Sequence, residues 1–492
     1  MDSWIFGHSY TLLQDQNTTI WERWAERYGS TMRLRGYCGS YELCTFDAQA
    51  VNYICSNNTL FPKTESDLRQ LALFFGEGIL SVDEETHKYQ NPAFGPLQIR
   101  NMVPIFWAKA NQLRDIWLDM LYDAPRGTTV DVLSWMTRTT LDVIGIAGFG
   151  YEFRSLEGDG ESELAQAFAG IFNSSRDITT FSIVKDMIYN LLGIPTEASK
   201  RFQAHHATIR RISIGLVHDK KMLLQASKGD EEFQGRDLLT LLLKSNIATK
   251  ANGNQKMSDE ELFGQIATFF SAGHETTSSS TTWALYALTQ HRGVQSKLRH
   301  ELQSAGLGDE PSMEELEELP YLNNFVREVL RAYNVVPMRG REAGCDTVIP
   351  VGKSFTDVHG IVQKEIRVKK GDAIIIPMLA LNRAKDVWGE DAMEFRPERW
   401  DNLPHAVKDM PGVWSHIMTF LHGPHACIGY RFSVVEMKVL LYSLVRAFEF
   451  DIDPHIEIEG RTSLVTRPCV KSDPEKVNRM PLLCVPIAKM RS

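Results

Sequence analysis

The stretch Phe420-Leu421-His422-Gly423-Pro424-His425-Ala426-Cys427-Ile428-Gly429 has the makings of a ligand-presenting turn. Its cysteine lies between two glycines and directly ahead of a pattern that predicts a helix over 430–448. Apolar Phe432, Val435, Met437, Leu440, Leu441 and Leu444 recur there at roughly the helical period. Gly423-Pro424 is a turn signal, and Gly429 lets the backbone pass close to something flat. A thiolate in such a place gains from the free N–H groups and the positive dipole end of the following helix. Thiolate is one of the axial ligands that haem iron accepts, and it favours O–O bond cleavage. An isolated buried cysteine is ordinarily an inert small hydrophobe, but the ten residues around Cys427 are a far more demanding pattern.

A second candidate centre lies inside another helical pattern. Ser258-Asp259-Glu260-Glu261 reads as a capping box, with Ser258 as the N-cap and Glu261 three residues on. It launches a helix that runs to about residue 291. The middle of that helix, Phe270-Ser271-Ala272-Gly273-His274-Glu275-Thr276-Thr277-Ser278, is poor helix material, because hydroxyls compete for backbone carbonyls. The flanks 266–270 and 283–288 read as buried, so the adjacent Glu275 and Thr276 need a chemical reason. A carboxylate and a hydroxyl connected by water can deliver protons.

A third group is Glu328-Val329-Leu330-Arg331, on a helix predicted over 321–333. This spacing is common in surface salt bridges. Phe395-Arg396-Pro397-Glu398-Arg399-Trp400, further on, offers a second arginine for a buried network.

The motifs, in this order and at these separations, resemble those of the cytochrome P-450 family, and the resemblance runs from Trp4 to about Pro486. Phe-x-x-Gly-x-His-x-Cys-x-Gly is similar to the family's haem-binding loop, with His425 where arginine is usual. Ala272-Gly273-His274-Glu275-Thr276-Thr277 is similar to its distal-helix motif. The resemblance implies a mainly α fold: a large helical body with small β-sheets, and haem b (iron protoporphyrin IX) between the distal helix and the cysteine loop. It implies that Cys427 is the sole protein ligand to iron. Phe420, Gly423, His425 and Gly429 of the loop, and Ala272 and Gly273 of the distal helix, would contact the cofactor. The distal helix would open over the haem; Thr276 would hold the bound dioxygen and Glu275 would relay protons. Glu328, Arg331 and Arg399 would form a buried structural triad beneath the haem. Trp400 stands where phenylalanine is most usual, and Asn334-Val335 replaces the usual Pro-Pro pair. Arg341 would contact a haem propionate, with Arg339 close enough in sequence to compete.

The activity so implied is that of a haem-thiolate monooxygenase, in which substrate, O2, two electrons and two protons give the hydroxylated product and water. Electrons would come from an NADPH-cytochrome reductase docking near Cys427, where Arg431 and Lys438 could face its acidic surface. The general look resembles basidiomycete fungal members, many of which modify specialised metabolites, so the implied substrate is a hydrophobic small molecule, such as a sesquiterpenoid. Two helices over 178–192 and 204–224 would form the lid over it. The alternatives are a degenerate haem-binding protein without turnover and a reductase-independent haem-thiolate isomerase. Such isomerases tend to lack the acid–threonine pair.

One segment departs from the family. Related chains show a Trp or His, a basic propionate partner four positions later, and then a few residues before Asn-Pro-Ala-Phe. Here His87 fits the first position, but Asn91 holds the fourth and opens Asn91-Pro92-Ala93-Phe94 directly. About one helical turn, ~3.6 residues, is missing. With His425 also in place of arginine, Arg341 is left as the best-placed permanent propionate partner and Lys88 as a substitute. The expectation is weak haem retention.

Composition bounds the rest. The net charge of -9, with no basic stretch to offset it, argues against nucleic-acid binding. The seven cysteines show no CxxC and no even framework, which suits reduced thiols facing the cytosol. His205-His206 has no third ligand in helical register, and reads as solvated. There is no Ser/Gly run or Pro-rich spacer, so 1–492 reads as one domain. No window reaches the ~18–20 apolar residues of a membrane span. The anchor and Pro-rich hinge of eukaryotic family members are missing, although the resemblance implies the cytosolic face of the endoplasmic reticulum, with peripheral membrane contact.

Overall fold

The computed structural model describes residues 7–8, 11–12, 19–36, 39–65, 67–68, 71, 94–124, 127–158, 163–173, 197–226, 237–251, 257–462 and 464–487. The first lid helix, over 178–192, and the departing segment, except for Phe94, lie outside them.

Helix α1 (Ile20–Tyr28) leads into the antiparallel pair β1 (Thr31–Arg35) and β2 (Tyr41–Thr45). Asp47 caps α2 (Ala48–Ser56) by accepting the Ala50 N–H at 3.0 Å. Helix α3 (Pro96–Met120) has proline in its first turn, where a missing N–H costs nothing. It buries Ile99, Met102, Phe106, Ala110, Leu113 and Trp117 at helical spacing.

Residues 128–149 form β3 (Thr128–Asp131), α4 (Val132–Ile144) and a wider π-turn, Gly145–Phe149. Two contacts invisible to periodicity cause this. The first is the pairing of β3 with a strand near the C-terminus. The second is a close approach at Gly145, where a Cβ would lie 2.5 Å from Phe153. Next come α5 (Glu163–Asn173), α6 (Glu197–Ala226) and α7 (Leu238–Ala251). The second lid helix is thus longer than expected, and α7 was not foreseen.

Helix α8 (Asp259–Gln290) begins with the expected capping box: Ser258 N–H donates to Glu261 Oε2 at 2.6 Å, and Glu261 N–H to Ser258 Oγ at 3.2 Å. It is followed by α9 (Arg292–Ser304), α10 (Met313–Glu317), α11 (Pro320–Ala332), β4 (Arg339–Glu342), β5 (Thr347–Thr356), β6 (Val362–Val368) and β7 (Ala373–Ile376). Short helices α12 (Met378–Asn382) and α13 (Lys385–Trp388) precede α14 (Tyr430–Ala447). Strands β8 (Phe448–Asp451), β9 (Ile458–Thr462), β10 (Thr466–Val470) and β11 (Pro481–Pro486) complete the order.

The sheets are small, as expected: β1-β2-β7-β4, β3-β11-β8 and the pairs β5-β6 and β9-β10. The helices carry the core. α3 packs on α14 through Phe106–Phe432 and Trp107–Tyr442 ring pairs at 4.8 and 5.5 Å, and on the first residue of β8 through Trp117–Phe448 at 5.6 Å. Phe270 of α8 packs against Phe149, Phe153 and Phe168, so the distal helix is anchored one turn before Glu275. No helix among the described residues is long and apolar enough to cross a membrane.

Candidate active site

Between residues 264 and 282 of α8 every residue is buried except Ala272, Gly273 and Thr276. At i, i+1 and i+4 these share one face, where Ala272 is exposed and Gly273 and Thr276 are half-buried. The helix runs unbroken through this point, where an opened turn was expected. Hydroxyls share its carbonyls instead: Thr276 Oγ1 donates to Ala272 O at 2.7 Å and Thr140 Oγ1, from α4, to His274 O at 3.1 Å. Gly273 serves packing as well, since a Cβ there would lie 2.9 Å from Ile144 Cγ1.

Glu275 is buried in an ion-paired network. Its Oε1 is 3.1 Å from His274 Nε2, and its Oε2 is paired with the guanidinium of Arg467 on β10. Burial pushes the carboxyl up, but Arg467 and His274 outweigh it and hold it down at about 2. Glu275 therefore stays ionised across the neutral range, and a relayed proton is not stored on it. His274 Nδ1 is 2.5 Å from Phe270 O, so both ring nitrogens face oxygen acceptors. Arg467 was missed in the sequence, because nothing local marks a strand arginine as the partner of a distant helix.

The cysteine loop docks on the C-terminal end of α2. Gly423 has φ +75°, and a Cβ there would lie 2.2 Å from Cys55 O, so only glycine fits. Cys427 N–H donates to Phe420 O at 2.8 Å, with Phe420 itself buried. At Gly429 a Cβ would meet only Phe94 Cε1, at 3.9 Å, which leaves open space beside the loop. Phe94 also packs on Phe269 of α8 at 5.4 Å, and Thr277 Oγ1 donates to Ser433 Oγ of α14 at 3.1 Å. The loop and the distal helix are thus tied together through Phe94 and through Ser433. Cys427 is accessible although protein surrounds it. Burial pushes its thiol up to about 11, against the opposing pull of the Gly429 N–H and Arg339. His425 is half-buried and ends a tight turn, Gly423–His425.

Glu328, Arg331 and Arg399 meet in the interior. Arg331 grips the carboxylate with two bonds, of 2.9 and 2.8 Å, and Arg399 Nε adds a third at 3.0 Å. Two further donors complete the shell: the Arg396 backbone N–H at 2.8 Å and the Trp400 indole at 3.0 Å. Arg331 Nη1 also donates to Asn382 O at 3.0 Å, and the Asn382 side chain holds Met418 N–H at 2.8 Å and Thr419 Oγ1 at 3.0 Å. These two residues precede Phe420, so the charge network reaches the cysteine loop through Asn382. Sequence reading missed Asn382.

At the rim, Arg341 is buried, gives one bond to its neighbour's carbonyl (Nη1 to Gly340 O, 2.7 Å) and has its Nε buried without a partner. Such an orphaned charged donor is costly unless an anion meets it. Lys438, expected to face a reductase, is instead buried and paired with Glu317 at 2.7 Å. Arg431 is exposed and lies over the Tyr430 ring. Among the described residues no cysteine is disulfide-bonded, and no cluster of three His, Cys, Asp or Glu forms a rival metal site.

An accessible cysteine sulfur, an exposed strip of distal helix, open space at Gly429 and an unmet guanidinium at the rim suit a flat, dianionic iron porphyrin. They define the haem-thiolate class. A cytochrome P450 family profile matches residues 2–470, and the chain belongs to that family of haem-containing monooxygenases. It is 45% identical to cytochrome P450 monooxygenase 205 of Postia placenta over 98% of this chain and 91% of the relative. Identity to cytochrome P450 monooxygenase 128 of the same fungus is 43%, over 98% and 90%. A ganoderic acid synthetase of Ganoderma lucidum is 32% identical over 95% and 90%. Family membership implies haem, O2, an organic substrate and a redox partner.

Proposed function

We propose that this chain, as one domain over 1–492, inserts an oxygen atom into a hydrophobic small molecule in fungal secondary metabolism, using electrons from an NADPH-cytochrome reductase. The observation that carries this reading is the exposed strip Ala272, Gly273 and Thr276 on an otherwise buried helix, tied to the loop that presents Cys427. When bound, haem supplies the reductive activation of O2. Cys427 would hold the iron. Phe420, Gly423 and His425 shape the loop, and the bare backbone at Gly429 and the small Ala272 would leave room for the ring. Arg341 would meet a ring carboxylate. Glu328, Arg331 and Arg399 hold the floor through Asn382.

The Thr276 proton is engaged by Ala272 O, so the hydroxyl receives a hydrogen bond from water and passes a proton on by rotating about its side chain. Glu275 stays a fixed anion that orients His274 and Arg467 behind it. The terpenoid class of substrate is supported by the ganoderic acid synthetase relative. Work at the cytosolic face of the endoplasmic reticulum follows from the choice of reductase.

The test is reduction of the purified chain under carbon monoxide, then turnover of terpenoid substrates with reductase, NADPH and isotopically labelled O2. A thiolate-type red-shifted band and one labelled oxygen in the product are expected. No such band, or a product without label, overturns the reading.

A further inference from the structure

Strands β5 and β6 make an antiparallel hairpin whose two ends have different surroundings. At its base Ile349 lies opposite Ile366 and Thr347 opposite Val368, with Ile349, Ile366 and Val368 all buried. Midway, the N–H groups of Gly352 and Lys353 donate to the Asp47 carboxylate that caps α2, at 2.9 and 3.1 Å. Beyond that anchor, along one face of β6, burial gives way from Val368 and Ile366 to the exposed Lys364 and Val362. A face that is core at one end and bare at the other belongs to a hairpin that stands clear of the body.

The tip is built to hold its shape alone. The Asp357 carboxylate accepts the His359 and Ile361 N–H groups at 2.9 and 3.0 Å and the Gln363 amide at 2.8 Å. Asp357 N–H donates to Ile361 O, and Gly360 N–H, at φ +78°, to Asp357 O, both at 3.0 Å. These bonds close the polar groups on one another, and what is left outside is apolar: Val358 is 86% exposed, Val362 60% and Ile361 57%. Single apolar side chains on a surface need no explanation, but three within five residues on a braced projection do. Around them residues 347–370 carry five lysines and arginines against two carboxylates, in a chain of net charge -9. Asp357 is engaged in the turn, while Lys364, Lys369 and Lys370 are exposed. The hairpin is thus a positive, apolar-tipped arm on an acidic protein.

We propose that this hairpin is a wedge for an anionic lipid surface. Val358, Ile361 and Val362 enter the boundary between headgroups and acyl chains, and Lys364, on the same side as Val362, meets the phosphates. A turn bonded to itself enters that boundary without bringing bare backbone donors, and basic side chains nearby draw it to anionic leaflets. Three side chains are too few for a stable protein interface, which buries on the order of 800 Å² per partner. A second copy would also bring the same positive arm against the first. Asp47 ties the hairpin to the start of α2, whereas the Cys427 loop touches the end of α2 through Gly423 and Cys55. The nine residues of α2 rise roughly 13 Å, so lipid at the tip and a redox partner at the loop engage opposite ends of one helix. The proposal rests on the reading of this chain as an enzyme of a membrane face, and names the element that makes the contact.

The experiment is co-sedimentation of the 492-residue chain with vesicles of phosphatidylcholine, with and without phosphatidylserine. The native chain should bind both and favour the anionic ones. Val358→Asp combined with Ile361→Asp should weaken binding to both by on the order of tenfold, and Val358→Leu with Ile361→Leu should restore it. Lys364→Glu should weaken binding several-fold to the anionic vesicles alone. The carbon monoxide band should be the same in every variant. Native binding that the double aspartate substitution leaves intact overturns the proposal while the membrane-face reading stands. No native binding to either vesicle overturns both. If that substitution instead lowers self-association without lipid, or raises only the KM for reductase, the tip serves a second copy or the reductase, and the proposal fails. Loss of the carbon monoxide band in step with lipid binding would mark general unfolding rather than a lost contact, and also counts against it.

Discussion

The indole N–H of Trp400 is 3.0 Å from Oε2 of Glu328, the same oxygen that accepts Arg331 Nε. A residue that looked like a mild replacement for phenylalanine is thus a donor in the buried charge network. Trp400→Phe removes that donor but leaves Oε2 paired with Arg331, so the expected cost is about 1–3 kcal/mol. Glu328→Ala strands two buried arginines and should cost ~3–5 kcal/mol, giving haem-free or insoluble protein. Urea midpoints of the holoproteins check both. A soluble, haem-replete Glu328→Ala protein with an unshifted midpoint would show that the network adds no stability.

Cys427→Ser should abolish both the red-shifted carbon monoxide band and all turnover. The sulfur is set by the Phe420 carbonyl and by the glycine contact with Cys55, so a serine hydroxyl will occupy the same place without the thiolate's electron donation. Retention of the band in this variant would disprove the ligand assignment.

Thr276→Ala is expected to leave substrate affinity nearly unchanged while several-fold more NADPH is diverted to hydrogen peroxide, because the positioned proton donor is lost. Peroxide formed per NADPH consumed is the readout. An unaltered ratio would remove Thr276 from the proton path.

Much of the fold was legible because its helices have caps and a clean period: Ser258 with Glu261, and the apolar stripe of α14. The division of 130–149 was not, since β3 owes its existence to β11 and the π-turn to the crowding at Gly145. The site divides in the same way. Cys427, Thr276 and the Glu328–Arg331 pair lie in short motifs whose spacing carries the geometry. Arg467 and Asn382 act across the fold, and each is an ordinary residue in its own stretch of chain. Lys438 was misplaced because a lysine on an apolar helix reads as exposed, whereas Glu317 lets it be buried.

Arg467 offers the sharpest test of the distal network. In the native chain Glu275 is held at about 2, below its ordinary value of 4.5. Its contribution to stability is then fully present above about pH 4.5 and lost as pH falls through that value towards 2. Arg467→Met removes the stronger of the two cations and leaves burial, the largest influence, opposed by His274 alone. The carboxyl should move above 4.5, which reverses the sign: the variant loses stability as pH rises through its new value. At pH 7 the variant should be less stable by ~3–5 kcal/mol, the usual cost of stranding one buried charge. The gap should narrow as pH is lowered towards 4.5. The difference in urea midpoint between variant and native chain, taken from pH 4.5 to 7.5, cancels the other titrating groups. A difference that stays constant with pH would mean that Glu275 does not answer to Arg467.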